Sequence, residues 1–192
     1  MKQPRTDIVE LRPKAGLDRM TDEGLMAAVA AGDRVACGEL FDRYVDELHR
    51  FVGRMRGSDR DVVEDLVQIV FLAAFQAAER FQGGSVRNWL FGIAVNQVRE
   101  YARREIRRKR ALEVVAEATP SSTAPGSAHL LVHLPAAIAA LSVELRAALV
   151  LVDMEGERGR DAAAILGVPE GTLWRRVHLA RKAVRAALGG ES

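Results

Sequence analysis

Apolar positions recur every three or four residues along most of the chain, with polar residues between them. From Val35 the series Leu40, Phe41, Tyr44, Val45, Leu48, Phe51, Val52 and Met55 traces one face of a long helix. Leu25, Met26 and Val29 form a shorter apolar side before it, with Thr21 as N-cap and Asp22 and Glu23 in the first turn. "GSDRD" ends the long helix, and Ser58 or Asp59 caps a third, whose apolar side holds Val63, Leu66, Val67, Val70, Ala74 and Ala77. "QGGS" breaks that helix. A fourth starts apolar at Trp89, Leu90 and Ile93 and ends in the basic run "REYARREIRRKR".

The pattern then lapses. "AEATPSSTAPGSAH" has no periodic apolar residues and reads as a flexible linker. Beyond it, "LLVHLPAAIAALSVELRAALVLVDMEGE" supplies two helices joined near Leu141, with Ser142 as a cap. "RGRDAAAILGV" is a short helix ending at Gly167. No repeat and no strand-like alternation emerges. The pattern predicts an all-α protein of two small helical domains joined by a flexible linker. Residues 1–20 form an N-terminal tail, 21–112 the first domain, 113–129 the linker and 130–192 the second domain.

The last segment carries the first functional signal. Leu173, Val177, Ala180, Val184 and Leu188 make one stripe, which packs on Ala162, Ala163, Ile165 and Leu166 of the preceding short helix. A glycine-containing turn, Gly167 to Glu170, joins the two, and the unit reads as a helix-turn-helix. Around the stripe stand Trp174, Arg175, Arg176, His178, Arg181, Lys182 and Arg185. In such a motif the second helix enters the DNA major groove, where arginine pairs bidentately with guanine. Lysine and the distal arginines hold phosphates, and Thr172 meets phosphate at the helix N-terminus. Trp174 either rests on the domain surface or touches sugars and thymine methyls; His178 is either a base contact or surface. A solvated basic helix is the bland alternative.

Charge sharpens the contrast between segments. The 192 residues carry a net charge of only +2, yet bases and acids are segregated, which suits contacts with a polyanion at two places. Cys37 is the single cysteine, so there is no internal disulfide and no cysteine-built zinc site. Apolar runs are too short to span a bilayer, and "MKQPRTDIVELRPK" lacks the apolar core of a signal peptide, which predicts a cytoplasmic protein without membrane insertion. No acid pair, histidine cluster or phosphate loop appears in a chemical context. Catalytic residues, metal ligands and cofactors are therefore not expected.

Four stretches resemble region 2 of bacterial RNA polymerase sigma factors, most closely the small extracytoplasmic-function (group IV) class of the sigma-70 superfamily. They are "DLVQ" at 65–68 with Phe71 after it, "RF" at 80–81, "NWLFGIAVN" at 88–96, and the basic tail after Tyr101. "LSVELRAALVLVDMEGE" with "AAAILGVPEGTLWRRVHLARKA" resembles region 4 of the same class. The resemblance implies that the helix with "DLVQ" docks on the clamp helices of the polymerase's largest subunit, through Asp61, Asp65, Gln68 and Leu72. It implies that Asn88 and Trp89 capture an unstacked base of the promoter −10 element. Asn96, Arg99, Arg103, Arg104 and Arg107 would track the strand, while the helix-turn-helix reads the −35 duplex. It further implies core RNA polymerase, promoter DNA and an anti-sigma factor as partners. Trp89 also reads as core, and the arginine run as a generic electrostatic patch.

The sequence departs from the family in three places. Ile69 stands where an acid is frequent, Arg158 and Arg160 replace an acid-rich start to the first helix of the motif, and Trp174 takes a place often held by a small or basic residue. Two rival readings follow from the residues alone. A stand-alone dimeric helix-turn-helix regulator would bind a palindrome without polymerase, and an all-helical enzyme would need a closed pocket.

Overall fold

A computed structural model describes residues 20–57, 59–115 and 130–189. The N-terminal tail up to residue 19, Ser58 as a cap, and linker residues 116–129 lie outside the described residues. Eight α-helices occur among those described: α1 (Asp22–Ala30), α2 (Arg34–Arg56), α3 (Arg60–Ala77), α4 (Val86–Val115), α5 (Leu130–Ala140), α6 (Val143–Leu149), α7 (Gly159–Leu166) and α8 (Glu170–Ala187). A 3-10 turn, Ala78–Arg80, follows α3, and a π-helical turn, Val150–Met154, extends α6.

Local chemistry sets the ends. The Thr21 hydroxyl accepts from the Gly24 N–H at 3.2 Å, Asp33 accepts from Val35 and Ala36, and Asp59 accepts from Val62, each satisfying otherwise orphaned donors. Ser85 does the same for Asn88 at 3.1 Å, and Ser142 for Leu145. α7 stops because Gly167 turns left-handed, at φ 64° and ψ 39°. The Val168 N–H then reaches back to the Ala163 carbonyl and the Gly167 N–H to that of Ala164, a Schellman closure. α4 runs to Val115, three residues into the stretch assigned to the linker. Glu113 and its neighbours are ordinary helix-compatible residues with no glycine or proline to stop them.

The helices α1 to α4 wrap one core in which Phe51 stacks on Phe91, ring centroids 4.0 Å apart, and Phe41 packs on Phe71. This core does not stop at the first module. Ala147, Ala148, Val150 and Leu151, then Ala162, Ala163, Leu166, Leu173 and Val177, continue it. A smaller cluster of Leu141, Leu149 and Ala180, with Ile138, Leu145 and Val184 packed on it, seats α8 on α5 and α6.

Arg146 locks the second module's entrance. It is 8% exposed. Its Nε donates to the Ile138 carbonyl at 2.9 Å, and Nη2 to Leu141 at 2.8 Å and also to Ala139. Nη1 reaches the Met55 carbonyl at 2.6 Å. One guanidinium thus gathers carbonyls at the ends of α5 and α2, the kind of group a helix C-terminus leaves short of partners.

In the first module, Asp22 accepts from the Tyr44 hydroxyl and from Arg43 at 2.8 Å. Burial raises the Asp22 carboxyl, but the Tyr44 and Arg43 bonds and the Arg43 charge outweigh it and hold the group below its ordinary value. Below the unfolded-state value, near 4, the unfolded chain binds more protons than the folded one, so this contribution is lost as pH falls through the folded value. Asp22→Asn therefore flattens the acid side of the stability curve; melting temperatures measured from about pH 6 down to about pH 3 check it.

Candidate nucleic-acid interface

α7 and α8 form a helix-turn-helix, and the apolar stripe of α8 is buried as its spacing requires. Leu173, Val177 and Ala180 are inaccessible, and Val184 and Leu188 half-buried. On the outer side Arg175, His178, Lys182 and Arg185 are exposed, and Thr172 is half-buried in the first turn. Three of the residues expected at DNA are held by the protein. Arg181 forms a two-pronged pair with Asp153 of the π-helical turn, at 2.5 and 2.9 Å. Arg176 is half-buried, and its Nη1 is enclosed without a hydrogen-bond partner. Trp174 is 45% exposed, but its Nε1 donates to Glu170 at 3.2 Å and its ring lies over Gly159. A Cβ at 159 would stand 2.7 Å from that ring, so the glycine is what lets the indole lie there.

The approach to α4 is built for close contact. Gly83 and Gly84 both take φ near +90°, a backbone that side chains resist, and they turn the chain from the 3-10 turn into α4. Trp89 is half-buried and edge-on to Phe81, centroids 5.5 Å apart, so it belongs partly to the core. Asn88 is half-buried and Asn96 exposed; both line one cleft with Ser85, Trp89, Asp161 and Ile165. Arg103, Arg104 and Arg107 are exposed and share one acid, Glu100, at 3.4, 3.1 and 3.1 Å, which leaves a cationic excess on that turn. Arg104 first, then Arg107 and Arg103, hold the Glu100 carboxyl below its ordinary value. Arg99 is half-buried with Nε enclosed and unpartnered; burial lowers its guanidinium, Glu144 opposes that, and Arg176 and Arg103 reinforce it.

The outer face of α3 is the third surface. Asp61, Asp65, Gln68 and Leu72 are all exposed, Leu72 at 60%. Ile69 joins them at 42%, so it is a surface residue rather than core. Two neighbouring exposed aliphatics within an acidic and polar rim have the make-up of a protein-docking patch. Cys37 is half-buried, with burial and then Asp33 raising its thiol. Among the described residues no cluster of histidine, cysteine or acids could hold a metal, and no helix is long and apolar enough to cross a membrane.

A helical bundle whose last helix ends in a basic run, packed against a helix-turn-helix, makes a two-module all-helical architecture with its cations on the outer faces. Residues 40–108 match the Sigma-70 region 2 family and residues 132–184 the Sigma-70, region 4 family. The ECF RNA polymerase sigma factor SigM of Mycobacterium tuberculosis is 33% identical over 175 residues, covering 91% of this chain and 88% of the relative. The ECF sigma factor SigE of Mycolicibacterium smegmatis is 34% identical over 183 residues, covering 90% and 71%. Among solved structures, the sigma factor RpoE of Bartonella quintana, in complex with the anti-sigma factor NepR, superposes with a TM-score of 0.63 at 27% identity. That match covers 81% of this chain and 98% of the other. The chain belongs to the sigma-70 family of RNA polymerase sigma factors, in its extracytoplasmic-function class.

Proposed function

We propose that the chain directs core RNA polymerase to its promoters without a catalytic step of its own, acts in the cytoplasm, and is controlled by an anti-sigma factor. The observation that carries this is the pairing of two modules matching region 2 and region 4 in one chain, in that order. In this reading Asp61, Asp65, Gln68 and Leu72, joined by Ile69, dock on the polymerase clamp helices. Asn88 reads a base edge of the opened −10 strand, and Trp89 braces the reading segment against Phe81. Asn96, Arg99, Arg103, Arg104 and Arg107 follow the phosphates. On the −35 duplex, Arg175 is the exposed arginine on the leading turns of α8 and the residue best placed for a bidentate base contact. Thr172, His178 and Lys182 flank it, while Trp174 and Arg181 are bonded within the protein and Arg176 is half-buried before they contribute to DNA.

The relative solved with NepR supports control by a protein inhibitor, since this chain matches nearly the whole of that sigma factor. Two weak contacts on one duplex become intramolecular once polymerase carries both modules, so each alone binds poorly. Run-off transcription with core polymerase tests the reading: the chain confers start-site choice, and DNA binding by the chain alone stays weak. Strong, specific binding to a palindrome without polymerase would favour a stand-alone regulator instead. Arg175→Ala costs about 1–3 kcal/mol of discrimination at one −35 position. An equal loss on all −35 sequences reassigns Arg175 to phosphate.

A further inference from the structure

An aliphatic side chain stands among the cations on the outer face of α8. Leu173, Val177 and Ala180 fix the inward side of that helix. Arg175, Leu179 and Lys182 follow one another at intervals of four and three residues on the opposite side, the spacing of a single helical face. All three are exposed, and so is His178 beside them. Leu179 is 42% exposed and joins neither apolar cluster of the protein. Trp174, the other large apolar side chain exposed on α8, is seated by the fold, with its ring over Gly159 and its Nε1 bonded to Glu170. Leu179 instead points away from the core, one turn beyond Arg175 and one turn short of Lys182.

In a major groove such a side chain has one match. Base edges there present oxygen and nitrogen acceptors and amino donors, and the one alkyl group among them is the thymine C5-methyl. A leucine pressed on any other edge would strip water from a polar group and return no hydrogen bond. Four residues of helix advance about 6 Å, and base pairs stack about 3.4 Å apart. We propose that Leu179 reads the −35 duplex directly, its side chain against the C5-methyl of a thymine about one or two base pairs from the pair that Arg175 contacts. This rests on the sigma-factor reading and deepens it by naming a base and the group on it. Arg175 contributes hydrogen bonds and Lys182 a charge for phosphate, both of which attract. Leu179 works chiefly by exclusion, since each wrong base at its position leaves a polar edge covered and unpaired.

The test uses the full chain with core polymerase. Duplexes are selected by the holoenzyme from a random-sequence pool. The enriched −35 sequence is then resynthesised with each thymine in turn replaced by deoxyuridine, which removes only the methyl. Wild type is expected to lose about fourfold in affinity at one position, the effect of burying one carbon fewer. Leu179→Ala is expected to bind the thymine and deoxyuridine duplexes equally there. Selection repeated with that variant is expected to relax base choice at the same position and to keep it at the position Arg175 reads. Its urea midpoint is expected to match wild type, because the side chain lies outside both apolar clusters. Absence of any methyl-sensitive thymine in wild type, or sensitivity that survives in Leu179→Ala, overturns the assignment. A loss spread equally over all sequences overturns it too, and places Leu179 against the sugar-phosphate backbone. A holoenzyme that enriches no −35 sequence at all would overturn the sigma-factor reading instead.

Discussion

Arg146→Met lowers the free energy of unfolding by about 3 kcal/mol, read as a shift of the urea midpoint at unchanged slope. The residue is almost wholly buried, and among the described residues its bonds go to main-chain carbonyls and not to a carboxylate. Two of them, to Met55 and Leu141, are fully buried bonds. Leaving a buried acceptor without a donor costs about 1–3 kcal/mol, and methionine fills the volume while donating nothing. Burial, and then the Arg56 charge, lower the Arg146 guanidinium, a strain the four carbonyls offset. Arg146→Lys recovers less than half of the loss, because an ammonium is a single point and cannot fork to carbonyls on two helices. A Lys variant as stable as wild type would mean that charge alone is needed there.

Leu72→Arg weakens binding to core polymerase by about 2 kcal/mol, close to 30-fold in Kd, while the urea midpoint stays where it was. The side chain is 60% exposed, so the folded chain loses little by the change. A bound partner would cover it, and the arginine would then be desolvated next to Asp65 and Gln68 without a place made for it. Fluorescence anisotropy against intact core polymerase measures the loss. Unchanged affinity would move the docking site off the outer face of α3. Ile69→Arg, one turn back along α3, is expected to act in the same direction and more weakly, since less of it is exposed.

The features legible in the sequence were those whose cause lies within a turn or two of the chain. Thr21, Asp59 and Ser142 cap the helices that follow them because a side-chain oxygen reaches an amide three residues on. Gly167 ends α7 because only its left-handed backbone lets Val168 and Gly167 reach back. The stripe of α8 was readable because a 3.6-residue period is set by the helix and not by its partner. Arg146 carried no such trace. It stands as one cation in an alanine-rich helix, and its Met55 bond spans 91 residues of chain. The same holds for Arg87, whose partner acids Glu47, Glu155 and Glu157 lie 40, 68 and 70 residues away. The linker composition suggested two bodies at a distance, whereas the buried residues of both modules join in one core. The signal for that was present but mute: small residues at Gly92 and Ala162 permit a close approach without saying which helix makes it.

Gly159 and Trp174 hold one another to their present sizes. The indole occupies the volume that any side chain at 159 would need, so each position sets the admissible bulk of the other. A chain that kept Trp174 could not take even alanine at 159 without moving the ring off Glu170, and a chain that lost the ring would be free to enlarge 159. Substitution at this corner of the helix-turn-helix is therefore ordered: the large residue must shrink before the small one can grow.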